Sequence, residues 1–489
     1  MSSSTNISDN TMINTSKNLI VRHAIDWALA HGLNYRVPLT FTSSTQAIPE
    51  PIKYAATHAP FALFPAPFPK ICFQKAKDLQ PIYNELFHSI SKDKEFLDAA
   101  VKSLGNSDNF ITNLYDIYQK VQNEGLAQKI TFGIHRSDYM IHNKNNEQTL
   151  QQVEFNTIAS SFSSLSYLTS ELHRYLAKRQ IYPESCKIDE KNIPFNNSFL
   201  SIANGIAKAH ELYGVKDAVV VMIVQPNERN AFDQRWIEYN LFEKHGVKLI
   251  RKTLAEIQQE ATLEGPDKKL MINGQEISVA YYRAGYTPND YPSDIEWQAR
   301  LKIERSKAVK CPNIAYHLSG TKKIQQMLAV PGNLERFIKD QEKVKFIRSS
   351  FTGLYAFDQS ESSKEALERL TKNPDDFVMK PQREGGGNNI YGKDIPPFLS
   401  KLSEKEKEGY ILMDLIRPEI QESTIVRDGK ADDFKVISEL GIYGIYLSDN
   451  NDKPVINEQG GYLLRTKSSS SNEGGVASGY GCLNSPLLQ

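Results

Sequence analysis

The sequence predicts a mixed α/β protein in which a small, doubly wound parallel α/β unit separates a helical N-terminal part from a β-rich C-terminal part. Three observations predict it. The run 218–224 is apolar throughout and mostly β-branched, as in a strand buried on both faces. Strand-like and helix-like segments alternate through 217–321, the pattern of a parallel sheet wound with helices. From Phe377 onward the chain reads as β-rich, whereas the text before Asp217 has mainly helical periodicity.

Taken in order, residues 1–18 form a Ser/Thr/Asn string that reads as a frayed tail, without the basic-then-apolar order of a secretory signal. A helix is expected over 19–31, where Val21, Ala24, Ile25, Ala28 and Leu29 share a face and Gly32 marks the stop. Pro65, Pro67 and Pro69 exclude a continuous helix before the helical patterns of 73–91, 94–104 and 111–123. The α/β unit follows, with strands at 218–224, 247–251 and 277–282 and helices at 232–244 and 254–261. Helical text at 322–328, 332–337 and 363–371 leads into strands at 377–380, 410–415, 434–446 and 461–467.

Composition removes several function classes. The 489 residues hold 58 Lys+Arg and 58 Asp+Glu, so net charge gives no reason to expect nucleic acid or an anionic membrane as partner. No apolar run approaches the roughly 20 residues of a membrane span. Cys72, Cys186, Cys311 and Cys482 are widely scattered, with no C-x-x-C and no H-E-x-x-H, which argues against zinc, iron–sulfur and thiol–disulfide chemistry. A cytoplasmic, reducing location fits.

Three constellations carry chemistry. In Phe377-Val-Met-Lys-Pro-Gln-Arg-Glu-Gly-Gly-Gly-Asn-Asn389 a strand feeds a triple-glycine loop whose backbone N–H groups are free to approach an anion. It matches neither the P-loop nor the dinucleotide fingerprint. Lys380 suits a phosphate and Glu384 suits Mg²⁺, although a flexible surface hairpin would have the same composition. In Gln152-Val-Glu-Phe-Asn-Thr-Ile158 alternation puts Glu154 and Asn156 on one strand face, either as a cation clasp or as an exposed polar face. Arg136 lies just upstream, as a carboxylate clamp or a surface ion pair. In Gly461-Tyr-Leu-Leu-Arg-Thr-Lys467 the side chains of Arg465 and Lys467 share a face, and a second glycine-rich stretch, Glu473-Gly-Gly-Val-Ala-Ser-Gly479, follows as a flap or a plain linker.

Together with Glu228-Arg-Asn-Ala-Phe-Asp-Gln-Arg235, these motifs resemble the eukaryotic glutathione synthetases, in the same order and over nearly the whole chain after Leu19. The resemblance implies an ATP-grasp fold with glycine-rich lid loops. In it, 19–216 and 322–489 form the catalytic part and 217–321 is an inserted substrate-binding unit. It implies Mg²⁺ on Glu154, Asn156 and Glu384. It implies ATP contacts at Glu154, Lys322, Lys380, Pro381, Gln382, Arg383, Glu384, Gly385, Gly386, Gly387, Asn388, Asn389, Tyr391, Met413, Asp414, Leu415, Ile416, Glu439, Lys467 and Glu473. Peptide contacts are implied at Arg136, Ile158, Ala159, Ser160, Ser161, Glu228, Arg229, Asn230, Gln234, Arg283, Ala284, Gly285, Tyr286, Arg465, Val476 and Ala477. Arg136, Arg465, Lys380 and Lys467 would be the catalytic cations, and the protein would be a homodimer.

The chain departs from the animal members in places. Ala159 stands where they have Ser, Leu415 where they have Lys, and Glu473 where they have Asp. The metal ligands are untouched. The implied reaction joins glycine to γ-glutamylcysteine at the expense of ATP through an acyl phosphate. Two other functions fit the residues: a sister ligase for another amine such as β-alanine, and an inactive sensor of nucleotide or thiol peptide.

Overall fold

The first helix, Asn6–Ala30, buries Ile20, Ala24 and Ala28 on one side and ends just before Gly32, whose φ of +79° no helix continues through. It begins at Asn6, inside the stretch read from the sequence as a tail, because Ser, Thr and Asn disfavour a helix interior without forbidding it. This computed structural model describes residues 6–37, 54–104, 108–145, 147–382, 388–471, 475–476 and 479–489, with side chains from residue 17 onward. None of its described helices is long and apolar enough to cross a membrane.

Helices Lys70–Lys92, Lys94–Lys102 and Asn109–Glu124 follow close to their expected places. Asp93 and Asp108 cap the second and third by accepting hydrogen bonds from Phe96 N and from Phe110 and Ile111 N. Leu79, Tyr83, Leu86 and Ile90 form the buried stripe of the first.

That stripe packs on a seven-stranded sheet in the order Gln421–Arg427, Phe61–Ala62, Gly481–Asn484, Pro454–Ser468, Lys430–Ser448, Thr131–Lys144, Glu147–Asn156. Its register places Arg136 opposite Asn156, Asp138 opposite Glu154, and Glu439 opposite Arg465. Polar side chains from four strands therefore meet on one face.

The segment between Val219 and Cys311 builds its own sheet. Leu249–Lys252, Val219–Ile223, Gln275–Tyr282 and Val309–Cys311 are parallel neighbours. Alternate residues of the strand Val219–Ile223 enter different cores: Val219, Val221 and Ile223 one, Val220 and Met222 the other, so helices cover both faces. The sheet is extended by an antiparallel hairpin, Ala261–Glu264 with Lys269–Ile272, which the sequence reading lacks.

A third, antiparallel sheet runs Leu354–Tyr355, Tyr410–Asp414, Phe377–Pro381, Ile390–Tyr391. Phe377, Met379 and Leu412 turn into a small core of its own, with Ala366, Leu370 and Ile395. Val378, Ile411 and Met413 turn the other way, toward Met140 and Val153 of the seven-stranded sheet. A cavity of about 800 Å³ opens between the two sheets.

Candidate active site

The sheet-face cluster is built by strand alternation. On Thr131–Lys144, Arg136 and Asp138 point the same way, as do Glu154 and Asn156 on the neighbouring strand. Arg136 grips Asp138 with two hydrogen bonds, Nε to Oδ1 at 2.6 Å and Nη2 to Oδ2 at 2.7 Å. Arg465 pairs with Asp138 at 3.0 Å and also with Glu439. Gly441, next to this cluster, leaves the space that the Arg136–Asp138 pair occupies.

The opposite wall comes from the third sheet and from the start of helix Lys322–Ala329. Lys380 Nζ reaches the Val153 carbonyl at 3.1 Å, and Lys322 Nζ lies 3.6 Å from Glu154. Lys467 lines the same cavity, as do Gln382, Asn388, Asn389, Tyr391, Met413, Asp414, Leu415, Ile416 and Glu439. Backbone hydrogen bonds fix the 413–416 segment, with Leu415 N donating to Asp376 O at 2.7 Å and Asp414 N to Gly353 O at 2.9 Å. Burial alone would raise the Glu154 carboxyl, but Lys322, Lys380, Arg465 and Arg136 outweigh it and bring the carboxyl down to about 2.

Ile158, Ala159, Ser160, Ser161, Tyr286 and Val476 also line the cavity. Ala159 and Phe162 hold φ values of +53° and +74°, so the turn between strand and helix Ser163–Lys178 is set in a conformation that side chains seldom adopt. Asp233 stabilises it from below. Its carboxylate accepts from Phe162 N at 2.9 Å, Ser164 N at 2.8 Å and Leu165 N at 3.2 Å, and it pairs with Arg283 at 2.8 Å.

Residues 14–488 match the family described as eukaryotic glutathione synthase, ATP binding domain. The chain belongs to the eukaryotic glutathione synthase family. It is 45% identical over 479 residues to a glutathione synthetase of Dictyostelium discoideum, covering 96% of this chain and 99% of the relative. The figures are 44% for a chloroplastic glutathione synthetase of Arabidopsis thaliana (96% and 85% covered) and 40% for that of Homo sapiens (96% and 96%). Among solved structures, a glutathione synthetase-like effector of Globodera pallida in its apo form superposes with a TM-score of 0.76 at 22% identity, covering 96% of both chains. That likeness concerns the fold, and it agrees with the ATP-grasp class expected from the sequence.

As a glutathione synthase family member, the chain carries the family's ATP-binding domain, and the residues present suit a magnesium nucleotide. Glu154 and Asn156 offer oxygens from one strand face beside Lys322 and Lys380, and Mg²⁺ is commonly held by one or two carboxylates with phosphates and water. Among the described residues no three His, Cys, Asp or Glu side chains stand together as a metal cage. An ion here would rely on the Asn156 amide and on Glu384, which lies outside the described residues with Arg383, Gly385, Gly386, Gly387, Glu473 and Ala477.

Not every expected contact lines the cavity. Pro381, Glu228, Arg229, Asn230, Gln234, Arg283, Ala284 and Gly285 stand outside its lining. Glu228 accepts from Asn230 N and from Gln234 Nε2, and Gln234 in turn accepts from Arg251. Arg229 and Arg36 exchange backbone and side-chain bonds, and Gly285 N donates to Asp290. Arg283 adjoins the 158–162 turn through Asp233. Sequence reasoning passed over Asp138 and Asp233. Asp233 lies inside the quoted Glu228–Arg235 motif, and for Asp138 the i, i+2 spacing from Arg136 was the available signal.

Proposed function

We propose that this chain is a glutathione synthetase, an ATP-dependent ligase that joins the amine of glycine to the cysteinyl carboxylate of γ-glutamylcysteine. One observation carries the reading: a single cavity is lined together by phosphate-suited lysines, an acidic strand face, two arginines and a polar turn. ATP-driven amide formation needs that adjacency. The peptide carboxylate attacks the γ-phosphorus, ADP leaves, and the resulting acyl phosphate is attacked by glycine's amine with loss of phosphate and a proton.

Such a reaction builds charge on phosphoryl and then carbonyl oxygens, so fixed cations serve it better than a covalent nucleophile. Lys322, Lys380 and Lys467 hold the phosphates. Arg136 and Arg465 orient the peptide carboxylate and stabilise the tetrahedral oxygen. Mg²⁺, when bound by Glu154, Asn156 and Glu384, would neutralise phosphate charge. Met413, Asp414, Leu415 and Ile416 receive the base through their backbone. The unit 217–321 contributes Glu228, Gln234, Arg283 and Tyr286 to the peptide site. The glycine-rich lid stretches that the family resemblance implies, around Gly386 and Val476, would exclude water from the acyl phosphate.

In keeping with the family resemblance the active species is a homodimer, which light scattering would show as twice the 55.3 kDa chain. A reducing cytoplasmic setting agrees with four unpaired cysteines.

Phosphate release from ATP and γ-glutamylcysteine tests the reading. Strong dependence on glycine, with glutathione as product, is the expected result. Preference for β-alanine would make the protein the sister ligase, and nucleotide binding without phosphate release would make it a sensor.

A further inference from the structure

We propose that Asp138 is a positioning residue that fixes both arginines and, through the Asn156 amide, turns an oxygen ligand to the cavity. The inference rests on the ligase reading and gives a role to a residue that reading leaves out. Asp138 is fully buried and does not line the cavity. It therefore acts through others. Oδ1 accepts from Arg136 Nε at 2.6 Å, and Oδ2 accepts from Arg136 Nη2 at 2.7 Å, Arg465 Nη2 at 3.0 Å and Asn156 Nδ2 at 3.0 Å.

The amide is the informative partner. Asn156 Nδ2 also faces Arg136 O and Glu154 Oε1, each at 3.3 Å. All three neighbours are acceptors, so the reversed amide would set oxygen against oxygen three times. Asn156 Oδ1 is left for the cavity that the residue lines, where a hard divalent cation takes oxygen. The same carboxylate is the ion-pair partner of Arg136 and one of two for Arg465. One buried group thus sets the metal-facing amide and the carboxylate-facing guanidinium groups in a common frame, and Asp138→Asn disturbs them together.

The test uses the full chain, with Mn²⁺ and a non-hydrolysable ATP analogue as probe, read by electron paramagnetic resonance. D138N is expected to weaken Mn²⁺ binding and raise the KM for γ-glutamylcysteine by about 10–100-fold each, the usual cost of losing an outer-shell partner. Asp138→Glu keeps the carboxylate acceptors of both arginines and of the amide but moves them by one methylene, so it shifts both readouts together and by less than D138N. Unchanged Mn²⁺ binding and KM in D138N would overturn the proposal. So would a folded D138E as impaired as D138N in both readouts, because the retained acceptors would then count for nothing. Should D138N not fold, Mn²⁺ affinity and peptide KM shifted together in D138E support the proposal, and a shift in neither or in only one refutes it. Glycine-dependent phosphate release by the unmutated enzyme tests the ligase reading separately, since Mn²⁺–nucleotide binding is scored without turnover.

Discussion

Lys380 Nζ donates to the carbonyl oxygen of Val153 across 3.1 Å, so the wall formed by the third sheet is tied to the edge strand that carries Glu154. The lysine is buried at 6% exposure, and its charge helps hold the Glu154 carboxylate ionised. Lys380→Met is therefore expected to lower kcat/KM for ATP by about 10²–10³-fold, in line with the loss of one preorganised cation at a transferring phosphoryl group. Steady-state kinetics at saturating peptide and glycine would show it. An effect confined to glycine's KM would place the lysine elsewhere.

Gly441→Ala addresses the sheet-face cluster. A Cβ there would come within 2.7 Å of Arg136 Cδ and 2.7 Å of Asp138 Oδ1. Both belong to a buried ion pair with little room to move, so about 1–3 kcal/mol of stability should be lost by overpacking. The KM for γ-glutamylcysteine should rise while that for ATP changes little. Urea unfolding and two substrate titrations are the measurements.

Asp233→Ala removes the acceptor for three backbone N–H groups and the partner of Arg283. Breaking a buried pair of this kind costs about 3–5 kcal/mol. The unfolding midpoint should fall, and the peptide site should lose affinity because the strained turn at Ala159 and Phe162 loses its anchor. A peptide KM unchanged in the folded variant would show that the turn holds its shape unaided.

Lys310 gives the chain a pH dependence in the alkaline range. It is buried, donates to Ser306 O at 2.8 Å, and burial lowers its amine from 10.5 to about 8. Between those values the unfolded chain holds a proton that the folded chain has released. Stability therefore rises with pH across the window and is lower below it by on the order of 3 kcal/mol. Lys310→Met should flatten that slope, which denaturant midpoints measured across the window would reveal.

The elements that could be read from the sequence were those whose burial follows a simple period. The strand Val219–Ile223 is apolar throughout because both faces are covered, and helix Ala231–His245 and strand Gln275–Tyr282 fell where alternation put them. The strand Thr131–Lys144 escaped notice for a physical reason. Arg136, Ser137 and Asp138 lie buried in its middle, satisfied largely by one another and by neighbouring strands, and hydropathy cannot report polar groups that pair after folding. Helix Ser163–Lys178 was hidden similarly, since its serine-rich start is held by the distant Asp233. Glu154 and Asn156 were legible as a pair from spacing alone, but their surroundings, above all Asp138, were set by strand register that one sequence does not print.

The division of apolar cores bears on which parts of the chain are free to swing. The 219–311 segment sends its two faces into the two large interiors it shares with the N-terminal helices and the seven-stranded sheet, so excising or tilting it would tear both open. The third sheet keeps an interior of its own and makes a smaller apolar contact with the rest, to Met140, Val153 and Ala329. Thermal breathing, proteolytic nicking and early amide exchange should therefore concentrate between Leu354 and Asp414, on the jaw rather than the palate of this enzyme.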